Sequence, residues 1–385
     1  MGLQQLLHDI YPSCVRLRVR MLWVIASQRG ATKDVTVIHL IDFVSKVLKN
    51  HSQARGCYKL ILTNKVSVHA EDSIYSVFRP IPFQHDEDFS PNPLDMFFID
   101  PKVKMEEGVR RWVVDISKWD PHPSDFSLAL SLLPSHEHPS VTRFVKMEDK
   151  KRALVSRMLQ YVLVHDVMHI PFPDIVINRT LEGKPYLDYD NKNCHRFPNF
   201  NFNVSHHGDY VAIASEPVCL VGLDIVSYDV PQRETITEFI KFFSSYFSSL
   251  EWAKIVNAGT SNDVLIEFYR YWSLKEAYVK AIGSGLTEGL NKVEFSHSRW
   301  TNISAKVDGK VMTDWRFWLF ELGDRHCVSI ARVHPKSAAK SYKTTLKKVD
   351  FTEEEYTLGL HLPNVDIVKL DVEQLISILQ KAFDY

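Results

Sequence analysis

The sequence has no run of apolar residues approaching the roughly 18 to 20 that cross a bilayer. The longest near its start is MLWVIA, so no membrane span is expected. Charge of one sign is not in excess: 46 basic residues face 47 acidic ones, for a net charge of −1. A nucleic-acid binder relying on a whole-chain basic field is therefore not expected, although a local basic pocket remains compatible. There is no CxxC pair. The five cysteines, Cys14, Cys57, Cys194, Cys219 and Cys327, are scattered and read as reduced structural thiols of an intracellular protein, without a zinc or disulfide framework. Neither GxxxxGK[ST] nor GxGxxG occurs, so P-loop and dinucleotide-binding readings lack their signatures. No residue-level internal repeat is found.

What is present is ample core: 385 residues, 45% apolar and 12% aromatic, enough for one large domain or two ordinary ones. The first 33 residues carry Arg16, Arg18, Arg20, Arg29 and Lys33 against the single acid Asp9. That pattern resembles an organellar transit peptide, the alternative being an ordinary helix with a basic face. Residues 35–50 have amphipathic helical spacing, and the Pro-punctuated stretch 79–101 reads as a linker. From RRWVVDISKW the texture changes to strand-like alternation of Trp112, Val114 and Ile116. Helices are expected at 124–133 and 148–167, the second with Leu154, Met158, Tyr161 and Val162 on one stripe. DIVINRTLEGKPYLDYD reads as strand, turn and strand. YVAIASE and CLVGLDIV are strand-like, helices follow at 232–250 and 263–282, and KVEFSH, ISAKV, DWRFWLFEL and HCVSIARV are four further strands. Helix plus short strands thus occurs twice, which suggests an α+β fold of two similar lobes. The Lys-rich stretch after Val333 reads as a solvated appendage ending in a short helix, DVEQLISILQKAF.

Three places carry candidate chemistry. In NFNFNVSHHGDY, period-two alternation puts Phe200, Phe202 and Val204 on one strand face and Asn201, Asn203 and Ser205 on the other. The apolar face is expected to meet the core, the strand end to deliver Ser205 and His206 to a cleft, and Asn201 and Asn203 to brace that end without touching substrate. In LVGLDIV, Asp224 is a lone carboxylate in an apolar strand, where an unpaired charge is costly. It is either an edge or strand-end residue, or a metal ligand or hydrogen-bond anchor. In YWSLKEAYVKAIGSG, Trp272, Glu276 and Lys280 share a helix face and Lys275 points elsewhere. Such a Glu–Lys pair is ordinarily a surface pair, but the aromatic surroundings favour a cleft. Arg179 and Lys184 flank the Gly183 turn. Basic and hydroxyl groups beside two separated carboxylates suit phosphates held near Mg²⁺, a cation that prefers oxygen ligands.

GLDI, followed some fifty residues later by WSLKEAYVKAIGSGL, resembles the paired signature of the Sfp-type 4′-phosphopantetheinyl transferases. RTLEGKPYL and PNFNFNVSHHGDYVAIASE extend the likeness, nearest to the eukaryotic aminoadipate-semialdehyde dehydrogenase branch, from about Gly108 to Pro335. The resemblance implies two pseudo-twofold lobes, at 106–222 and 223–335, between an N-terminal extension (1–105) and a C-terminal one (336–385). It implies coenzyme A as co-substrate and transfer of its phosphopantetheine arm to a serine of an apo acyl or peptidyl carrier protein, as in holo-[acyl-carrier-protein] synthases. The other product would be adenosine 3′,5′-bisphosphate. Asp224 and Glu276 would ligate Mg²⁺, with Glu276 also the base that takes the serine proton. Lys280 would sit on the diphosphate, Arg179 and Lys184 on the nucleotide phosphates, and Ser205 and His206 beside them. Two positions depart from the pattern. Val226 stands where many relatives have a second acid, and Ser140 stands where relatives have a coenzyme-binding Arg, with Arg143 nearby. The expected protein is a cytosolic monomer, the mitochondrial matrix being the alternative compartment. The competing function is a catalytically weak carrier-protein-binding module of the same fold.

Overall fold

The computed structural model describes residues 105–189, 197–230, 235–285 and 290–381. The expectations for the basic N-terminus, for 35–50, for 79–101 and for Cys14, Cys57 and Cys194 lie outside them. The strands are β1 (Arg110–Asp115), β2 (Val176–Arg179), β3 (Pro185–Asp188), β4 (Asn201–His207), β5 (Tyr210–Glu216), β6 (Leu220–Ser227), β7 (Val293–Ser298), β8 (Thr301–Val307), β9 (Lys310–Val311), β10 (Trp315–Leu322), β11 (His326–Val333) and β12 (Val368–Leu370). The helices are α1 (Pro123–Ser131), α2 (His138–Thr142), α3 (Met147–Met168), α4 (Ile236–Lys241), α5 (Ser249–Val256), α6 (Ser261–Ile282), α7 (Lys340–Lys343), α8 (Glu353–Leu360) and α9 (Val372–Lys381).

The twofold repetition is visible in topology. In the first half β1 pairs with β5 and β5 with β4; in the second, β6 pairs with β11 and β11 with β10, all antiparallel. Each half therefore pairs its first strand with its last and its last with the one before. Each also places a 22-residue helix (α3, α6) and a hairpin (β2–β3, β7–β8) between first and last strands. The division expected after residue 222 falls inside β6, which opens the second half.

The halves stack as helix, sheet, sheet, helix. Trp112, Val114, Phe200, Phe202, Val211 and Ile213 pack on α3 through Leu154, Met158 and Val162. Val113, Ala212 and Ala214 pack instead on Val221, Leu223, Ile225, Val328 and Ile330 of the second sheet. Strand β1 is thus covered on both faces, and the simple alternation seen in its sequence describes only one of them. On the far side, α6 lies on β6 through Ala277 and Ala281, beside Leu220. The approach is close. A Cβ on Gly222 would sit 1.9 Å from the Ala277 carbonyl oxygen and 2.4 Å from the Ala281 nitrogen, so only glycine fits.

Two expectations change. The helix expected over 232–250 is broken into α4, a 3₁₀ turn at Ser244–Tyr246 and α5. Thr235 with Glu238 and Ser248 with Glu251 each form a capping box, and the second restarts the helix. The residues after 335 are not a solvated appendage. Tyr342, Leu360, Leu362, Val372, Leu375 and Leu379 are buried, β12 adds to β1 in parallel, and α9 packs in the α3 core. Arg332 donates to the carbonyls of Leu360 and Leu362, and Arg111 donates to Asn364 Oδ1. Both guanidinium groups close on the buried Glu216 carboxylate, fastening both sheets and this segment together.

Candidate active site

The polar face of β4 meets the open edge of β6. Asn201 Oδ1 accepts from Val221 N (3.0 Å), Asn203 Oδ1 from Leu223 N (2.8 Å), Ser205 Oγ from Ile225 N (3.3 Å) and His207 Nδ1 from Ser227 N (3.0 Å). Every second side chain of β4 thereby replaces the backbone partner that an edge strand lacks. Asn201 and Asn203, expected to brace the strand end, instead hold the first half of β4 to β6. His207, which the sequence reading did not use, is the fourth rung.

On its other face β6 turns Asp224 toward α6. Asp224 Oδ1 is 2.6 Å from Lys280 Nζ and accepts from Ser205 Oγ at 3.2 Å. Lys280 Nζ also donates to Ser205 Oγ at 3.0 Å. Asp224, Ser205 and Lys280 are thus brought together, one turn along the helix from Glu276. Lys280 pairs with Asp224, which answers how a lone carboxylate is tolerated in an apolar strand. Burial raises the Glu276 carboxyl above the usual carboxylate range and the Asp224 charge adds to this, while Lys280 opposes. Lys275 does point elsewhere: it is fully buried, pairs with Glu251 at 2.9 Å and donates to the carbonyls of Leu290 and Val293.

Among the described residues no group of three or more His, Cys, Asp or Glu side chains is arranged to hold a metal ion. Asp224 Oδ2, however, is buried without a hydrogen-bond partner. That orphaned oxygen and the Glu276 carboxylate are hard donors suited to Mg²⁺ with water as the remaining ligands. Val226 packs in the apolar cluster under α6 and offers no oxygen.

Beside this cluster Asp149, Arg152, His206, His207, Gly208 and Asp229 line an open cleft of about 400 Å³. Arg152 donates to the Gly208 carbonyl (2.7 Å) and pairs with Asp149 (2.6 Å), holding the β4–β5 turn. The His206 ring, open to solvent on one side, is pushed well below the usual imidazole range, first by the protein around it and then by the Arg152 and Lys280 charges. His206 is therefore neutral near pH 7. Arg179 stands at the end of β2 and donates to the Gly183 carbonyl at 3.1 Å. Surrounding protein and the Arg157 and Arg143 charges push it down to about 10, with Glu137 opposing. Arg157 pairs with Glu137 at 2.8 Å and donates to Ser140 Oγ at 3.2 Å. Arg157 thus stands on Ser140, and its charge and that of Arg143 are felt at Arg179. Arg157 carries no motif, and only the folding of α3 brings it there. Lys184, by contrast, is buried and donates to the carbonyls of Val221 and Lys280.

Comparison with known proteins agrees with this arrangement. Residues 117–218 match the model of the 4′-phosphopantetheinyl transferase N-terminal domain, and residues 220–331 match that of the 4′-phosphopantetheinyl transferase superfamily. The L-aminoadipate-semialdehyde dehydrogenase-phosphopantetheinyl transferase of Rattus norvegicus is 35% identical over 241 residues, covering 60% of this chain and 77% of that protein. The chain belongs to the 4′-phosphopantetheinyl transferase family. Its Homo sapiens relative of the same description is 32% identical over 274 residues, covering 69% of this chain and 87% of the relative. A phosphopantetheinyl transferase of Thraustochytrium sp. is 34% identical over 233 residues, covering 59% and 79%. The two family models meet between Val218 and Leu220, at the start of β6, where the topology also divides.

Proposed function

We propose that this transferase moves the 4′-phosphopantetheine arm of coenzyme A to a serine hydroxyl of an apo carrier protein, with release of adenosine 3′,5′-bisphosphate. The observation that carries the reading is the convergence of Asp224, Glu276 and Lys280 at the β6–α6 contact. The serine oxygen attacks the phosphorus bearing the pantetheine arm, and the P–O bond to the nucleotide phosphate breaks. The serine proton passes to Glu276, directly or through a water, at an oxygen that the metal would leave free. Lys280 leaves Asp224 for the departing phosphate and offsets its growing charge. Asp224 and Glu276 would hold Mg²⁺, which supplies further neutralisation of the diphosphate. Ser205 and the neutral His206 present hydrogen-bond donors to the phosphates, and Arg143, Arg157 and Arg179 suit the nucleotide's remaining phosphate.

The names of the relatives direct the first trial to the carrier domain of an aminoadipate-semialdehyde dehydrogenase, and a free acyl carrier protein is the second. A site assembled within one chain supports a monomer, and buried free thiols at Cys219 and Cys327 support the cytosol over an oxidising compartment. The test is intact-mass spectrometry of apo carrier incubated with the protein, coenzyme A and Mg²⁺. Gain of one phosphopantetheine on the carrier serine is expected, and Glu276→Gln should lower the rate by about 10²-fold or more. Folded protein that modifies none of several carriers rejects the reading. An unchanged rate for Glu276→Gln rejects the role of Glu276.

A further inference from the structure

We infer that Lys184 and Tyr342 form a clamp behind the site that fixes the last turn of α6 against β6, and with it the placing of Lys280 beside Asp224. The inference rests on the transferase reading for its kinetic consequence only.

The last carbonyls of a helix have no partner within it. At the end of α6 those of Val279, Lys280 and Ile282 are met from outside or by the cap. Val279 O accepts from Gly283 N, whose φ of +72° closes the helix, and Ile282 O accepts from Ala339 N at 2.8 Å. Lys280 O accepts from Lys184 Nζ at 2.5 Å. The same ammonium donates to Val221 O at 2.9 Å, three residues before Asp224. One group thus ties the strand that carries Asp224 to the turn that carries Lys280, and a cation there also complements the helix dipole. Its remaining direction faces the Tyr342 ring, 4.7 Å away. An ammonium has three donors, and two carbonyls and a ring account for them. None is left for a phosphate. Burial and the Lys280 charge push Lys184 down to about 7. A neutral amine still has two N–H groups, so both carbonyl bonds survive deprotonation.

Tyr342 is fully buried. It lies on Gly283, where a Cβ would come within 2.9 Å of the tyrosine side chain. Its hydroxyl has no hydrogen-bond partner, so the ring performs the packing. The C-terminal segment is in this way part of the support of the catalytic helix.

The experiment uses the full chain with Lys184→Met, Tyr342→Ala, Tyr342→Phe and the Lys184→Met/Tyr342→Ala double variant. Leu375→Ala, buried at the far end of the same segment, is the control for lost stability. Lys184→Met and Tyr342→Ala are expected to lower kcat by about 10- to 100-fold with KM for coenzyme A changed less than about threefold. Tyr342→Phe should restore kcat, Leu375→Ala should leave it unchanged, and the double variant should lose less than the product of the two single losses. Hydrogen exchange at residues 279–283 should quicken in both clamp variants, a readout that requires no transfer activity. A rise in KM that saturating coenzyme A overcomes would instead make Lys184 a phosphate contact and overturn the clamp. So would unchanged exchange, or equal kcat for Tyr342→Ala and Leu375→Ala. Should Lys184→Met fail to fold, the three comparisons on Tyr342 and Leu375 decide alone.

Discussion

At the scale of single residues, Glu276, the proposed base, is the group whose charge state would link activity to folding. Its carboxyl titrates above the ordinary carboxylate range because burial and Asp224 disfavour the anion. As the proposed base it would work only when ionised, so the transfer rate should climb with pH as Glu276 gives up its proton. Stability should run the other way. A carboxyl with a raised folded-state pKa adds stability that is complete below its unfolded pKa and lost as pH rises through the folded one. Glu276→Gln should abolish the stability trend, read as melting temperature of metal-free protein over a pH series, and the rate trend, read as initial rates with Mg²⁺ over the same series. Identical melting slopes for the two proteins would contradict the assignment. The sequence made Asp224, Glu276 and Lys280 legible because a lone carboxylate in an apolar strand and a Glu–Lys pair four residues apart on an aromatic helix stand out locally. It left Arg157 and Tyr342 hidden, since neither stands in a motif and each arrives by tertiary folding.

At the scale of elements, most strands and both long helices could be read from periodicity, because each buries an apolar stripe against one neighbour. Where an element is covered on two sides, as β1 is, periodicity understates burial. Where capping competes with helix length, as at Ser248, it overstates continuity. The seam between β4 and β6 gives a quantitative test. Asn203→Ala leaves the Leu223 amide buried without a partner and should cost about 1–3 kcal/mol in urea unfolding. A cost near zero would mean that water takes the place of the side chain. The contact between α6 and β6 gives a second. Gly222→Ala forces a methyl onto the Ala277 carbonyl. It should destabilise by about 1–3 kcal/mol or more and depress kcat by displacing Glu276 and Lys280 together. Wild-type kcat in a folded Gly222→Ala protein would show that the helix can shift without harm to the chemistry.

At the scale of the whole molecule, the segment after residue 335 completes the first half. Its strand β12 covers the outer edge of β1, while the side chains of β4 cover the edge of β6. The two opening strands of the repeat are therefore both shielded, by different means. Deleting residues 349–385 would bare β1, leave Arg111 and Arg332 without their carbonyl and amide acceptors, and open the α3 core. Such a chain should lose its cooperative thermal transition and aggregate, as followed by calorimetry and light scattering. A soluble, cooperative product would show the segment to be dispensable. The seam also works as a keyed joint. Its rungs run amide, amide, hydroxyl, imidazole, three different lengths and shapes over four positions read in order along β6. A slip of two residues would still find an amide hydrogen for most rungs. It would carry Ser205 about 7 Å from Asp224 and set a shorter side chain where a longer one is needed. The varied spelling of that strand therefore acts as an alignment code between the halves, and a repetitive strand such as all-Asn would fold with its halves free to mesh one notch out of phase.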